Sequence, residues 1–230
     1  MSAGTYTLFD IPTKAPQVCW SMNTWRNYKT EWVEYPNIAP RLNQHVPPNE
    51  NGASFTLPAI QLPDGSYFMD SYKIADIIEE KHPEPSVLLN TPVQLRYRKI
   101  LIEFMKQLTP IYVPGVAQRL LGEESLEYFH TTRQKDVGMP LDEYQKKHGP
   151  GAFERAEPFA RKMTALLNES SGPYFLGDTV SYTDFMWAAI LLFWKTLGDD
   201  TFQEVLKITG DAKKHTDLLD ALSPWTERND

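Results

Sequence analysis

Two periodicities divide the chain. Thr5–Phe9 (TYTLF) and Thr30–Tyr35 (TEWVEY) alternate apolar and polar residues and predict strands. Leu57–Leu62 (LPAIQL) and Ser66–Met69 (SYFM) flank Pro63-Asp64-Gly65. Proline presets φ and glycine tolerates positive φ there, so the pair predicts a hairpin. Ser71–Lys81 follows with Ile74, Ala75 and Ile78 on one helical face, and it stops short of Pro83. Pro36 to Ser54, rich in Pro, Asn and Gly, is expected to be a long loop.

Beyond His82–Pro92 the period becomes helical. Tyr97, Ile100, Leu101, Phe104, Met105 and Leu108 form one stripe, and Phe153, Ala156, Phe159, Ala160, Met163, Leu166 and Leu167 form another. Phe185–Trp194 is apolar all round and predicts a central buried helix. Pro110 and Pro114 are expected to end or kink the helix before them. Gly138-Met139-Pro140 and Gly149-Pro150-Gly151 predict loops, and Leu120–Tyr144 gives mixed signals of the kind that shape loops around a pocket. The fold class expected is α+β: a small mixed sheet domain, then an all-helical one. The division runs 1–84, a linker at 85–92, and 93–230.

Composition narrows the function. Of 18 prolines, 11 lie in the first 92 residues, consistent with a change of architecture there. The chain of 230 residues carries 23 Lys+Arg against 30 Asp+Glu, a net charge of −7, with no basic block to bind nucleic acid. Phe185–Trp194 is shorter than the ~18 apolar residues of a membrane span. The opening MSAGTYTLFD has no basic and apolar signal regions. A cytoplasmic protein is expected, with Asn168-Glu169-Ser170 unglycosylated. Cys19 alone forms no intrachain disulfide, and the five histidines are scattered without ligand spacing, so no metal is expected. Walker, Gly-x-Gly-x-x-Gly and His-Glu-x-x-His motifs are absent. Glu123-Glu124 and Asp199-Asp200 are adjacent acids that diverge on a helix and read as solvated, not as a catalytic pair.

Three local features carry chemistry. Thr56-Leu57-Pro58 opens a strand, with Pro58 either at a strand start or in a cis turn. Asp70-Ser71 starts a helix and reads as an N-cap, as an anion and amine site, or as both. Trp20-Ser21-Met22-Asn23-Thr24-Trp25 offers Ser21 or Asn23 either as an ordinary cap or as a donor to a thiolate.

In this order the three resemble the glutathione transferases. The words WSMNTWR (Trp20–Arg26), TEWVEYP (Thr30–Pro36), Leu8-Phe9-Asp10, Thr56-Leu57-Pro58 and MDSYKIADIIEEKHP (Met69–Pro83) are similar to those of fungal serine-type members related to the beta-etherases. Phe175-Leu176-Gly177-Asp178 before Ser181-Tyr182-Thr183-Asp184 is similar to the family's helix-start signature, and Asp184 at the third helical position suits an Asp capping box. The resemblance spans nearly the whole chain and implies a thioredoxin-like domain followed by a helical one. It implies glutathione as cosubstrate, with Leu57 and Pro58 at its cysteinyl unit and Asp70 and Ser71 at its γ-glutamyl end. Ser21, with Asn23 as rival, would be catalytic at the sulfur. The acceptor, a small hydrophobic aromatic or polyphenolic compound, would lie between the domains near Trp25, Tyr112 and Trp187, each of which also suits a core. A homodimer is implied, acting in detoxification or aromatic metabolism.

One departure stands out. Arg26-Asn27-Tyr28-Lys29 runs almost directly into Thr30-Glu31-Trp32, about three helical turns shorter than the resemblance leads one to expect. Met22 also stands where relatives have proline. The short first helix motivates a second reading, a weakly catalytic ligandin that binds hydrophobic compounds. An interaction module is a third. Cys19 reads as an inert core thiol or as a group for thiol transfer.

Overall fold

A computed structural model describes residues 5–14 and 28–226. Its sheet has four strands: β1 (Tyr6–Asp10), β2 (Tyr28–Trp32), β3 (Ala59–Gln61) and β4 (Tyr67–Met69). Their order is β2-β1-β3-β4, with β1 and β2 parallel and the other pairs antiparallel. A parallel pair needs a crossover of about a dozen residues or more, and residues 11–27 are long enough to supply it. Ser21, Asn23, Trp25 and Cys19 fall in that stretch, outside the described residues.

β2 begins and ends earlier than its alternation predicts. Val33 still donates to the Asp10 carbonyl at 2.9 Å, but Pro36 lacks an N–H and ends the ladder. The supposed loop after it then folds: Tyr35–Asn37 forms a 3₁₀ turn with proline in its first turn, continuing into helix α1 (Ile38–Leu42). Ile38 and Leu42, one turn apart, are buried in the same core as Phe9, Ala59 and Met69, and Pro40 sits in the first turn, where its missing N–H costs nothing. A Pro-rich composition concealed this helix.

Alternation along the strands gives the sheet two apolar faces. Leu8, Tyr28, Ile60 and Leu62 pack with Ile74, Ile77 and Ile78 of helix α2 (Ser71–Lys81), while Phe9, Ala59 and Met69 join the larger core. Ala75 is not part of that stripe.

The helical domain comprises α3 (Pro92–Gly115), α4 (Glu123–Val137), α5 (Leu141–His148), α6 (Ala152–Leu167), α7 (Tyr182–Leu197), α8 (Asp199–Thr209), α9 (Ala212–Ala221) and α10 (Ser223–Thr226). Pro110 and Pro114 do not end α3, which runs through both and changes to π hydrogen bonding only at Val116–Leu120. Each of the two internal prolines costs ~3 kcal/mol, and the full burial of Tyr97, Phe104 and Leu108 works against that cost. Leu120–Tyr144 is mostly helix, with Gly138 in the left-handed region capping α4 (φ 77°). Gly115 marks a close approach: an added Cβ would lie 3.2 Å from Leu197 Cδ1.

α7 is central, with Trp187, Ala188, Leu191 and Trp194 fully buried and Phe185 nearly so. At its start the Asp184 carboxylate accepts from Ser181 N, Ser181 Oγ and Phe175 N at 2.7, 2.7 and 2.8 Å, the predicted box with an added strut. Burial raises the Asp184 pKa despite these donors. Mid-helix, Trp187 Nε1 donates to His215 Nδ1 at 2.8 Å, so the proton of the neutral ring lies on Nε2, facing Thr164 Oγ1 at 2.8 Å. Thr164 in turn donates to the Thr209 carbonyl at 2.9 Å. Burial pulls the His215 pKa down to about 4.

Candidate functional site

The hairpin register assembles one end of the site. Ala59 pairs with Met69, so the residues just before β3, Leu57 and Pro58, lie across from Asp70 and Ser71 just after β4. The Leu57–Pro58 peptide is cis. Thr56 N donates to Met69 Sδ at 3.1 Å, tying the two approaches together. Asp70 has φ 81° and ψ 115°, a positive-φ conformation outside the usual allowed regions for a side-chain-bearing residue. From there its Oδ1 accepts from Tyr72 N at 2.9 Å, capping α2, and Oδ2 has no bond among the described residues. Ser71 is exposed at the first helical position.

The helical domain reaches this corner. Tyr182, from the first turn of α7, donates to the Ser71 carbonyl at 3.5 Å, and the Arg98 guanidinium lies 3.7 Å from the centre of the Tyr72 ring. The Tyr182 pKa is pushed up to about 12, first by burial and then by Tyr72, Asp76 and Asp70, so the phenol remains a donor.

A second feature is a cavity of about 400 Å³. Tyr35 forms its wall from the sheet domain; Thr109, Tyr112, Val113 and Val116 line it from α3 and the π turn. Phe129, Arg133, Asp136 and Val137 of α4 and Phe193 of α7 complete it. Tyr112 meets Phe193 and Trp194 edge-on at 6.1 and 6.2 Å. Tyr35 meets Phe129 edge-on at 5.2 Å, and Arg133 sits 5.0 Å from the Phe129 ring and 5.8 Å from that of Tyr35. The buried Ser125 hydroxyl accepts from Tyr35 N at 2.9 Å and donates to the Glu34 carboxylate. Burial, opposed by Arg133, raises the Tyr35 phenol pKa.

Residues 95–225 match the family model for the C-terminal domain of glutathione S-transferases. The chain belongs to the glutathione S-transferase family. Among its relatives is the glutathione S-transferase-like protein ustS of Aspergillus flavus, 26% identical over 231 residues, covering 86% of this chain and 83% of that protein. Among solved structures, a glutathione S-transferase of Ceriporiopsis subvermispora in complex with glutathione is 25% identical with a TM-score of 0.82, covering 99% of this chain and 100% of that one. The glutathione transferase GSTFuA2 of Phanerochaete chrysosporium is 22% identical at a TM-score of 0.82, covering 98% and 99%. Among the described residues no helix is long and apolar enough to cross a membrane.

In this chain the structure brings Leu57, Pro58, Asp70 and Ser71 together and sets Tyr112 in the cavity. Trp187 is not among the residues lining this cavity: it is fully buried, and its indole N–H is committed to His215. Sequence reasoning missed Tyr35, Phe129 and Arg133. α4 buries only Ser125 and Phe129, too few apolar positions for a stripe, and the one available signal was Phe129 and Arg133 four residues apart, where a cation can lie over a ring.

Proposed function

We propose that this transferase binds glutathione along Leu57-Pro58 and the start of α2 and delivers its sulfur to a small hydrophobic aromatic compound in the cavity. The observation carrying this reading is the Ala59–Met69 register, which gathers the Leu57-Pro58 backbone, a helix N-terminus and the Asp70 carboxylate, one oxygen of which has no bond among the described residues. That set suits the cysteinyl backbone, the γ-glutamyl carboxylate and the γ-glutamyl ammonium respectively. Ser21 or Asn23 donates to the sulfur. The thiol proton passes to solvent, the thiolate forms a C–S bond with the acceptor's electrophilic carbon, and the leaving group departs with its bonding electrons. The reading extends to a cytoplasmic homodimer acting on aromatic compounds.

Calorimetric titration with glutathione, paired with turnover of 1-chloro-2,4-dinitrobenzene, tests it. Saturable heat with turnover supports the transferase. Heat without turnover favours the ligandin reading, for which the shortened connection between β1 and β2 is the motive. Absence of heat overturns glutathione binding.

A further inference from the structure

We infer that the compound held in the cavity is an aromatic acid, its anionic group paired with Arg133. This rests on the acceptor reading above and adds a chemical class to it. Among the described residues, two charged groups line the cavity, Arg133 and Asp136. They are not equivalent. The Asp136 side chain is 63% exposed and that of Arg133 29%, so the carboxylate faces water while the guanidinium is drawn inward.

Their contact is a single long one of 3.4 Å, three residues apart on α4, and Thr132 Oγ1 lies 3.5 Å from the same nitrogen. A guanidinium has five donors and its best partner is a planar anion engaging two at once. Arg133 also meets the Tyr35 phenol, but these are single-point contacts, and among the described residues no planar anion engages two of its donors at once. The rings of Phe129 and Tyr35 hold it in place, so little ordering is required when an anion arrives. The remaining walls are apolar or aromatic apart from Thr109, whose hydroxyl donates to the Met105 carbonyl at 3.3 Å, and they suit a ring system. A neutral hydrocarbon filling this space would strip water from the guanidinium without replacing it, which is unfavourable. An aryl carboxylate or sulfonate removes that penalty and supplies the bidentate partner.

The test uses two fluorescent dyes with the same ring framework, 8-anilinonaphthalene-1-sulfonate and the uncharged N-phenyl-1-naphthylamine, titrated into the full-length protein. Arg133→Gln is expected to weaken the sulfonate about tenfold and the neutral dye less than twofold. Asp136→Asn, at an exposed position, is expected to tighten the sulfonate about two- to threefold and leave the neutral dye unchanged. If Arg133→Gln does not fold, the Asp136→Asn result decides alone. Equal effects on both dyes, an unaffected sulfonate, or no binding of either dye overturns the inference. Glutathione calorimetry on the same samples keeps the two readings apart. Normal glutathione heat without charge-selective dye binding sinks only the aromatic acid, whereas charge-selective dye binding without glutathione heat sinks only the transferase.

Discussion

Acidification should destabilise this protein through His215. In the folded chain its ring is buried and neutral, accepting from Trp187 and facing Thr164, and its pKa lies near 4. Desolvation is the main cause, Lys214 adds to it, and Asp211 opposes it. In the unfolded chain the ring titrates near 6.5. Between these values the unfolded state binds a proton that the native state does not, so stability rises with pH across the window and is lost as pH falls from about 6.5 toward 4. The slope approaches 1.36 kcal/mol per pH unit, so moving from pH 7 to 4.5 removes about 2.5 kcal/mol through this residue alone. Asp184 works in the opposite sense, because its raised pKa favours the native state at low pH. A paired comparison removes that background: urea unfolding of the parent and of His215→Asn at both pH values. Asn can still accept from Trp187 but does not titrate. It should lower stability at pH 7 by ~1–3 kcal/mol for the lost Thr164 contact and packing, with a pH dependence shallower than the parent's by about 2 kcal/mol over the interval. Parallel pH profiles would refute the assignment of a neutral buried ring.

Four further outcomes follow from the geometry. Asp70→Ala should weaken glutathione by ~1.5–3 kcal/mol in calorimetry, with a cap loss of ~1 kcal/mol in thermal unfolding; an affinity within twofold of the parent would mean the site is misplaced. Asp184→Ala leaves two buried backbone N–H groups without their acceptor and should cost roughly 2–6 kcal/mol in chemical denaturation. Val116→Trp at the cavity wall should abolish acceptor turnover while leaving glutathione affinity unchanged, which steady-state kinetics and calorimetry read separately. Inserting a family-like helix after Arg26 should raise turnover about tenfold, ~1.4 kcal/mol of barrier, with glutathione affinity held; equal turnover would show that the extra helix is dispensable.

The two periodicities made the fold readable because they report burial directly: Leu8 and Phe9 face opposite sides of the sheet, and Trp187, Leu191 and Trp194 are fully buried on α7. Cap residues were equally legible, since Asp70 and Asp184 act on neighbours within three positions. What failed was anything decided over distance. Pro110 breaks an isolated helix but not one whose flanks are buried on both sides of it. Trp187 and Tyr112 are both aromatic residues in helices, and only the packing of His215 against one, and of open space against the other, separates core from cavity. Tyr35 and Arg133 are far apart in sequence, and no local pattern foretells that their side chains share a wall.

The buried Ser125 hydroxyl joins those walls. It receives the Tyr35 amide and holds the Glu34 carboxylate, while its own helix carries Phe129 and Arg133 one and two turns further on. The loop leaving β2 and the helix α4 are therefore latched, and the cavity's width is set by a side chain that does not line it. If the cavity holds the proposed acceptor, natural variation at this one position would shift which compounds fit without altering any residue that lines the cavity, so selectivity would drift through the hinge pin and leave the door unchanged.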